Sequence, residues 1–576
     1  MARSIWIRAL WYDDNGIAPE RFLRMKFFLL LFCDKMLRMQ KIITTDWAQK
    51  NFSNFALRHR GLREEGAMYH RSFATVCCLI AAIGLISAPA GAKKKLYKEK
   101  KAVLEWLSQP EVMERFGKIS DALWSYAELG LQEYKSADLL ARTLEREGFR
   151  VEKGLAGMPT CFVATYGSGK PVIGILGEYD ALPMISQKGR VPKRDPVLEG
   201  APGHGCGHNT MGTAGIAAAI AVKRVMEQYG LKGTVKFFGS PAEEILVSRP
   251  YMIRAGLFDN VDVVIDNHAS DKFGTRWGVS GNAAISVIFT FKGKTAHSAG
   301  SPWEGRSALD AVELMNVATN YLREHLFYTY RMHYVIIDGG EAPNVVPDHA
   351  SVWYYIRNTD DRIEEMYQRV LNCAKAAALA TGTELAEVRV LAAAHQKHSN
   401  RALAELIQEN IELIGMPEWS EEEQAFARAL QKELGKEEKG MPTEVDTLKG
   451  PEKPFVGGGS TDVGDVSLIA PTATVRFPGR VPGAIGHHWS TVACNYGSAA
   501  WKGLIAGAKA MAATAIDLLT RPDVLAKIRQ EFEEHSSKHP YKSLLPENAK
   551  PPLDLNKEIM DRWRKLMAKY YEEPEP

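Results

Sequence analysis

A chain of 576 residues is longer than one hydrophobic core usually serves, so two domains are the default. Its composition is that of an ordinary globular protein, 45% hydrophobic and 24% charged, and a net charge of +3 gives no basic field for nucleic acid. Seven cysteines, at 33, 77, 78, 161, 206, 373 and 494, are too sparse for a disulfide framework and include no C-x-x-C pair.

Residues 1–67 mix arginines and aromatics without period, and the apolar run at 27–32 is too short to cross a membrane. Met68-Tyr69-His70-Arg71, an apolar stretch over 73–86 and an Ala-Pro-Ala-Gly-Ala end have the three parts of a secretory signal peptide. The expectation is a translation start at Met68, a signal peptide over 68–92, and a mature, exported or periplasmic chain from near Lys93. Residues 1–67 are then a non-native extension. The alternative is a signal anchor or buried helix, with a cytoplasmic protein.

Helical spacing runs over 101–116, 119–129 and 136–147. Short apolar runs follow at 160–166, 172–176, 234–238 and 261–265, with helical segments between several of them. That alternation predicts an α/β sheet flanked by helices, with a site in the loops at strand ends. Past Gly281 the pattern becomes strand 284–291, helix 307–325, strands 333–338 and 350–357, helix 362–381 and strand 383–393. This β-α-β-β-α-β order predicts a ferredoxin-like α+β block over 282–397, a lid or dimerisation domain. It is inserted in a catalytic domain expected over 93–281 and 398–530. A charged helix and loop at 420–440, an Ala-rich helix at 498–519 and a tail over 531–576, ending in an amphipathic helix at 555–571, complete the chain.

Gly203-His204-Gly205-Cys206-Gly207-His208-Asn209 places a thiol and an imidazole two residues apart, in a loop too rich in glycine to be core. Ser240-Pro241-Ala242-Glu243-Glu244 follows an apolar strand and ends in paired carboxylates, which can divide metal binding and proton transfer between them. Glu178-Tyr179-Asp180, Asp266-Asn267-His268, Gly457–Asp462 and Gly486-His487-His488-Trp489 add acids and imidazoles at other loops. Singly, each reads more readily as a turn or a structural histidine. Together they read as a metal site.

These stretches, with Lys294-Thr295-Ala296-His297-Ser298 and Gly339–Asp348, resemble the M20 family of metal-dependent amidohydrolases and peptidases over about residues 100–530. The resemblance implies a phosphorylase/hydrolase-like zinc-peptidase catalytic domain holding two divalent metal ions, zinc or manganese. It implies metal ligands at Cys206, His208, Glu244 and His268, with His488 favoured over His487 for a further one. Glu243 is then the general base, and His297 the lid histidine that reaches a partner subunit's site. Asn344 and Arg357 would hold a substrate carboxylate. Asn209 and Glu178 stand where many relatives carry Asp, and His-Trp-Ser where they carry His-Ser-Pro. These departures match the branch that cleaves aryl-glutamate amides, so the expected substrate is an N-acyl amino acid such as p-aminobenzoyl-glutamate. A homodimer is expected, with a related second subunit as a further partner. The competing expectations are a non-catalytic partner subunit and a general dipeptidase of the same fold.

Overall fold

Pro110 decides how the described chain begins. Helix α1 (Lys98–Leu107) stops short of it, and α2 (Pro110–Tyr126) starts on it, because proline lacks an amide donor and is tolerated at the first helical position. The sequence pattern puts this break near Gly117 instead. That glycine sits mid-helix, where an added Cβ would lie 2.3 Å from the Trp501 ring. The computed structural model describes residues 97–574; the expected extension and signal peptide, over 1–67 and 68–92, lie outside them.

Helix α3 (Tyr134–Arg146), β1 (Arg150–Lys153), β2 (Phe162–Ser168) and β3 (Val172–Gly177) come next. Helix α4 (His208–Tyr229), β4 (Gly233–Gly239), α5 (Ser248–Arg254) and β5 (Val263–Ala269) follow. A short strand β6 (Gly278–Ser280) leads into β7 (Ala283–Lys292), α6 (Ala308–Leu322), β8 (Arg331–Asp338), β9 (His349–Asn358), α7 (Asp360–Thr381) and β10 (Glu384–Ala394). The chain returns through β11 (Lys397–Ser399), α8 (Arg401–Ile414), α9 (Glu421–Glu433), α10 (Val463–Ile469) and β12 (Thr472–Phe477). It closes with α11 (Trp489–Cys494), α12 (Ser498–Thr520), α13 (Pro522–Ser536) and α14 (Lys557–Met567).

The larger sheet has the order β1-β2-β4-β3-β5-β12. Strands β4, β3, β5 and β12 run parallel, and β2 and β1 are added antiparallel at one edge. The C-terminal ends of all four parallel strands therefore open on one side, where ligands gather in open α/β sheets. Helices α4 and α12 are buried along almost their whole length; their Ala and Gly content lets them pack closely on the sheet. Helix α12 is long and apolar enough to cross a membrane by composition, yet 83% of its most apolar window is buried in this core.

The inserted block folds as a second, antiparallel sheet of order β10-β7-β9-β8. Counted within the β-α-β-β-α-β block this is 4-1-3-2, the ferredoxin-like arrangement. Val352, Tyr354 and Ile356 alternate inward along β9 against α6 and α7, so Trp353, Tyr355 and Arg357 take the opposite face. The two-stranded ribbon β6–β11 carries the chain into and out of this block.

Four strands escape the sequence pattern, the three-residue β6 and β11 among them. β1 is short and polar, and β12, Thr-Ala-Thr-Val-Arg-Phe, lacks a run of large apolar residues although it is a buried parallel strand. Strand β5 runs to Ala269 rather than ending at 265, so Asp266 and His268 lie within the strand instead of in a loop after it. The charged stretch at 420–440 is not wholly exposed. Ser420 and Glu423 form a capping box, and the buried Glu423 carboxylate also accepts from Lys502 Nζ at 2.7 Å.

Candidate metal centre

The Cys206–His208 turn is made by Gly207, whose φ of +95° suits glycine and whose missing Cβ would stand 2.9 Å from that of Ala269. The turn ends at His208, the first residue of α4 and fully buried. Its Nδ1 donates to Asp180 Oδ1 at 2.7 Å, which leaves Nε2 as a lone-pair donor. That nitrogen faces Glu178 Oε2 at 3.3 Å, and Glu243 Oε2 and Glu244 Oε1, both at 3.8 Å.

The paired glutamates lie in a single 3-10 turn, Glu243–Ile245, between Ala242 (φ 57°) and Leu246 (φ 59°). Left-handed conformations at non-glycine residues cost about 1–2 kcal/mol each. Two hydrogen bonds hold the turn in place: Ala242 N donates to Glu133 Oε1 at 2.8 Å, and Glu244 N donates to Asp180 Oδ2 at 2.9 Å. Asp180 thus fixes both halves of the centre, with one oxygen on His208 and the other on the Glu244 amide. Glu178 accepts from Arg249 Nη2 at 2.7 Å, and the buried Arg249 is itself paired with Asp462.

On the other side, Cys206 Sγ lies 3.6 Å from His268 Nε2. His268 Nδ1 donates to the Ala269 carbonyl at 2.7 Å, so its Nε2 also presents a lone pair. Burial, with Arg476 and Arg480 nearby, keeps this ring well below the ordinary imidazole range and hence neutral. Arg480 Nη2 donates to the Cys206 carbonyl at 2.7 Å and anchors the loop.

These groups fit divalent cations. Buried atoms His208 Nε2, Glu178 Oε2 and Glu244 Oε1 face one another without a hydrogen-bond partner. Burial pushes the Glu178 carboxyl up to about 7, that of Glu244 up to about 8 and that of Glu243 well above the usual carboxylate range. Burial also raises the Cys206 thiol, and the Glu244 charge adds to it. His208 goes the other way: burial would lower it, but Cys206, Asp180 and Glu244 raise it far above its ordinary value, so among these acids its Nε2 holds a proton that a bound cation would displace to free the lone pair. A buried cluster of acids around one imidazole is self-repelling until positive charge enters it. Two trios, Cys206/His208/Glu244 and Glu178/His208/Glu243, each bring their donor atoms within 4.8 Å of one another. The mixed sulfur, nitrogen and oxygen donors are of the types that hold such ions.

The fold brings most of the expected residues to one cavity of about 400 Å³, lined by Cys206, Glu243, Glu244, His268 and Arg357 among others. His488 is an exception. Its ring accepts from the Ser490 amide at 3.4 Å, lies 2.9 Å from Ser490 Oγ, and caps α11 beside Trp489. His487, in a left-handed conformation (φ 56°), turns into the cavity instead, with Nε2 3.3 Å from Glu244 Oε2. Of the two, His487 rather than the expected His488 lines the cavity, and the helix cap engages Nδ1 of His488. His297 and Asn344 neighbour each other, joined by the Ser298 amide on the Asn344 carbonyl at 3.2 Å, but both are exposed and neither lines the cavity. His204 is structural, its Nε2 3.0 Å from the Leu123 carbonyl. Glu178 as a donor, Asp180 as the orienting group and Arg476 as a cavity residue were not assigned from sequence. The acids at the end of β3 were visible there, whereas nothing in the Arg476 stretch marks it.

The model of peptidase family M20/M25/M40 matches residues 174–515. The chain is 38% identical over 463 residues to a p-aminobenzoyl-glutamate hydrolase subunit of Escherichia coli, covering 76% of this chain and 96% of that one. It is 30% identical over 440 residues to mouse Xaa-Arg dipeptidase, covering 73% and 90% respectively. In fold it is similar to the crystal structure of an aminobenzoyl-glutamate utilization protein from Klebsiella pneumoniae, with a TM-score of 0.50, 17% identity, and coverage of 71% and 97%. With the family matched over more than half its length and a relative at 38% identity aligned over three quarters of it, the chain belongs to peptidase family M20/M25/M40 and is one of its metallo-hydrolases.

Proposed function

We propose that this hydrolase cleaves the amide bond of an N-acyl amino acid, with p-aminobenzoyl-glutamate or a similar aryl-glutamate amide as substrate. The observation that carries the reading is the convergence of His208 Nε2, Glu178 Oε2 and Glu244 Oε1, buried and unpartnered, beside Glu243 at the floor of the cavity. The Escherichia coli relative, named as a p-aminobenzoyl-glutamate hydrolase, supports the substrate class.

In this reading Cys206, His208, Glu244, His268 and His487 hold two divalent ions, with Glu178 as a further donor. Such ions, when bound, acidify water and polarise the scissile carbonyl. Glu243, the more exposed of the two glutamates, takes a proton from the attacking water at a carboxylate oxygen and delivers it to the leaving amine nitrogen. Arg357 grips the substrate carboxylate through its planar fork. Asp180 keeps His208 in the tautomer that leaves Nε2 unprotonated.

His297 and Asn344 act in trans in this proposal, each completing the site of a second copy. Two observations support a homodimer: both residues are exposed away from their own cavity, and the free edge of the lid sheet, β8, shows Val335, Ile336 and Ile337 to solvent. The relative's designation as a subunit leaves a related second chain as a further partner. Export by the segment 68–92 belongs to the same proposal. A native amino terminus near Lys93 is expected, and native protein carrying residues upstream of Met68 would refute it.

The test is glutamate release from p-aminobenzoyl-glutamate by protein beginning near Lys93, with manganese or zinc added, beside Glu243→Gln. Metal-dependent turnover that drops by roughly 100-fold or more in the variant, with metal content unchanged, is expected. Protein that binds no metal sinks the reading.

A further inference from the structure

The cavity holds more positive charge than the centre and one substrate carboxylate account for. Four cationic side chains line it: Arg276, Arg357, Lys397 and Arg476. Two are already answered. Lys397 Nζ lies 3.5 Å from Asp266 Oδ2 and donates to Thr474 Oγ1 at 2.7 Å, and Arg276 pairs with Glu452 at 3.2 Å. The other two are not. Arg357 makes one long hydrogen bond, 3.4 Å, to Ser460 Oγ, and its Nε is buried and orphaned. Arg476 Nε is likewise buried without a partner; Asp266 and Asp271 lie near enough to attract its guanidinium, but no carboxylate among the described residues forms an ion pair with it. Buried charges are ordinarily paired, so two unanswered guanidiniums facing one cavity mark places for two anionic groups.

Their origins differ. Arg476 belongs to β12 and stands in register with His268 on the neighbouring parallel strand, next to the centre. Arg357 comes from β9 of the inserted domain. A ligand with two carboxylates would therefore engage one cation from each domain.

We infer that Arg476 is a specificity residue for an acidic side chain: Arg357 takes the α-carboxylate of the amine half of the substrate and Arg476 takes a second carboxylate on its side chain. This rests on the amidohydrolase reading above and narrows it to N-acyl derivatives of glutamate or aspartate. Glutamine leaves the guanidinium without its counter-charge, and a basic side chain meets like charge. A site built around a buried polar partner discriminates far more sharply than an apolar pocket does.

Two measurements test this. The first is kcat/KM of the metal-loaded enzyme on 4-aminobenzoyl-glutamate and 4-aminobenzoyl-glutamine, for the wild type, Arg476→Gln and Arg476→Lys. The second is calorimetric binding of the same two amides to metal-loaded protein carrying Glu243→Gln, with and without Arg476→Gln. The wild type should favour the glutamate amide by about 100-fold or more. Arg476→Gln should bring the ratio of the two amides close to one, in turnover and in Kd, and Arg476→Lys should restore part of it. A wild type indifferent to the side-chain charge overturns the inference, and so does an Arg476→Gln that weakens both amides in proportion, the signature of a merely structural arginine. Preferential binding of the glutamate amide without cleavage of either would refute the hydrolase reading and leave the role of Arg476 standing.

Discussion

His487 and His488 have the same side chain and adjacent positions, and the backbone assigns them different work. At His487 a left-handed φ of 56° aims the ring at Glu244, whereas His488 is extended and caps a helix. Replacement by alanine should therefore separate them. His487→Ala is expected to weaken metal affinity by roughly 10–100-fold or more, read by titration with zinc or manganese. His488→Ala should leave metal content intact and lower stability by about 1 kcal/mol through loss of the cap, read by denaturant unfolding. The reverse pattern would return the ligand role to His488. The same scale explains why Glu178 is easy to overlook. As a lone acid at a strand end it resembles any solvated residue, and only the approach of His208, to 3.3 Å, makes it a candidate donor.

At the scale of elements, the exit of the inserted domain carries a titratable knot. His395, between β10 and β11, lies 3.0 Å from Asp360 at the start of α7, and His398 on β11 lies 3.2 Å from the other oxygen of that carboxylate. Asp465 of α10 accepts from the His395 amide, and the Lys542 carbonyl meets its other ring nitrogen. Burial would lower the His395 pKa, but the Asp360 hydrogen bond and the Asp465 charge raise it to about 9. A histidine raised in the folded state stabilises it fully below its unfolded value of about 6.5. That contribution is then lost as pH climbs through 9. The melting temperature should fall between those limits, and His395→Gln should flatten the slope within them. An unchanged slope would show that the pair contributes nothing to the linkage. Sequence periodicity located α7 and β10 but could not show that a histidine after β10 meets an aspartate 35 residues earlier.

At the scale of the molecule, the proposed dimer makes the strongest demand. Val335, Ile336 and Ile337 are each about half exposed along the open edge of β8, and Val317 and Tyr321 of α6 are exposed as well. An apolar free edge of this kind invites pairing with another chain. The double variant Val335→Lys/Ile337→Lys should sediment as a monomer, keep its metal, and lose most of its turnover because His297 no longer reaches a second site. A wild type that is monomeric and active would remove both the dimer and the trans role of His297.

Residue type and spacing along the chain settled the chemistry available and the main elements of both sheets. The Cys-Gly-His and Glu-Glu stretches, the β-α-β-β-α-β block and the buried Ala-rich helix are local patterns, and all of them are present in the fold. Which side chains meet was left to the packing of the folded chain. Asp180 joins His208 to the Glu244 turn, Arg249 joins Glu178 to Asp462, and Arg476 forms no ion pair among the described residues at the cavity wall. Each depends on strands brought side by side from distant parts of the chain and on a few backbone angles at Ala242, Leu246 and His487. Neither leaves a periodic trace in sequence, because packing and hydrogen bonding between remote segments set them.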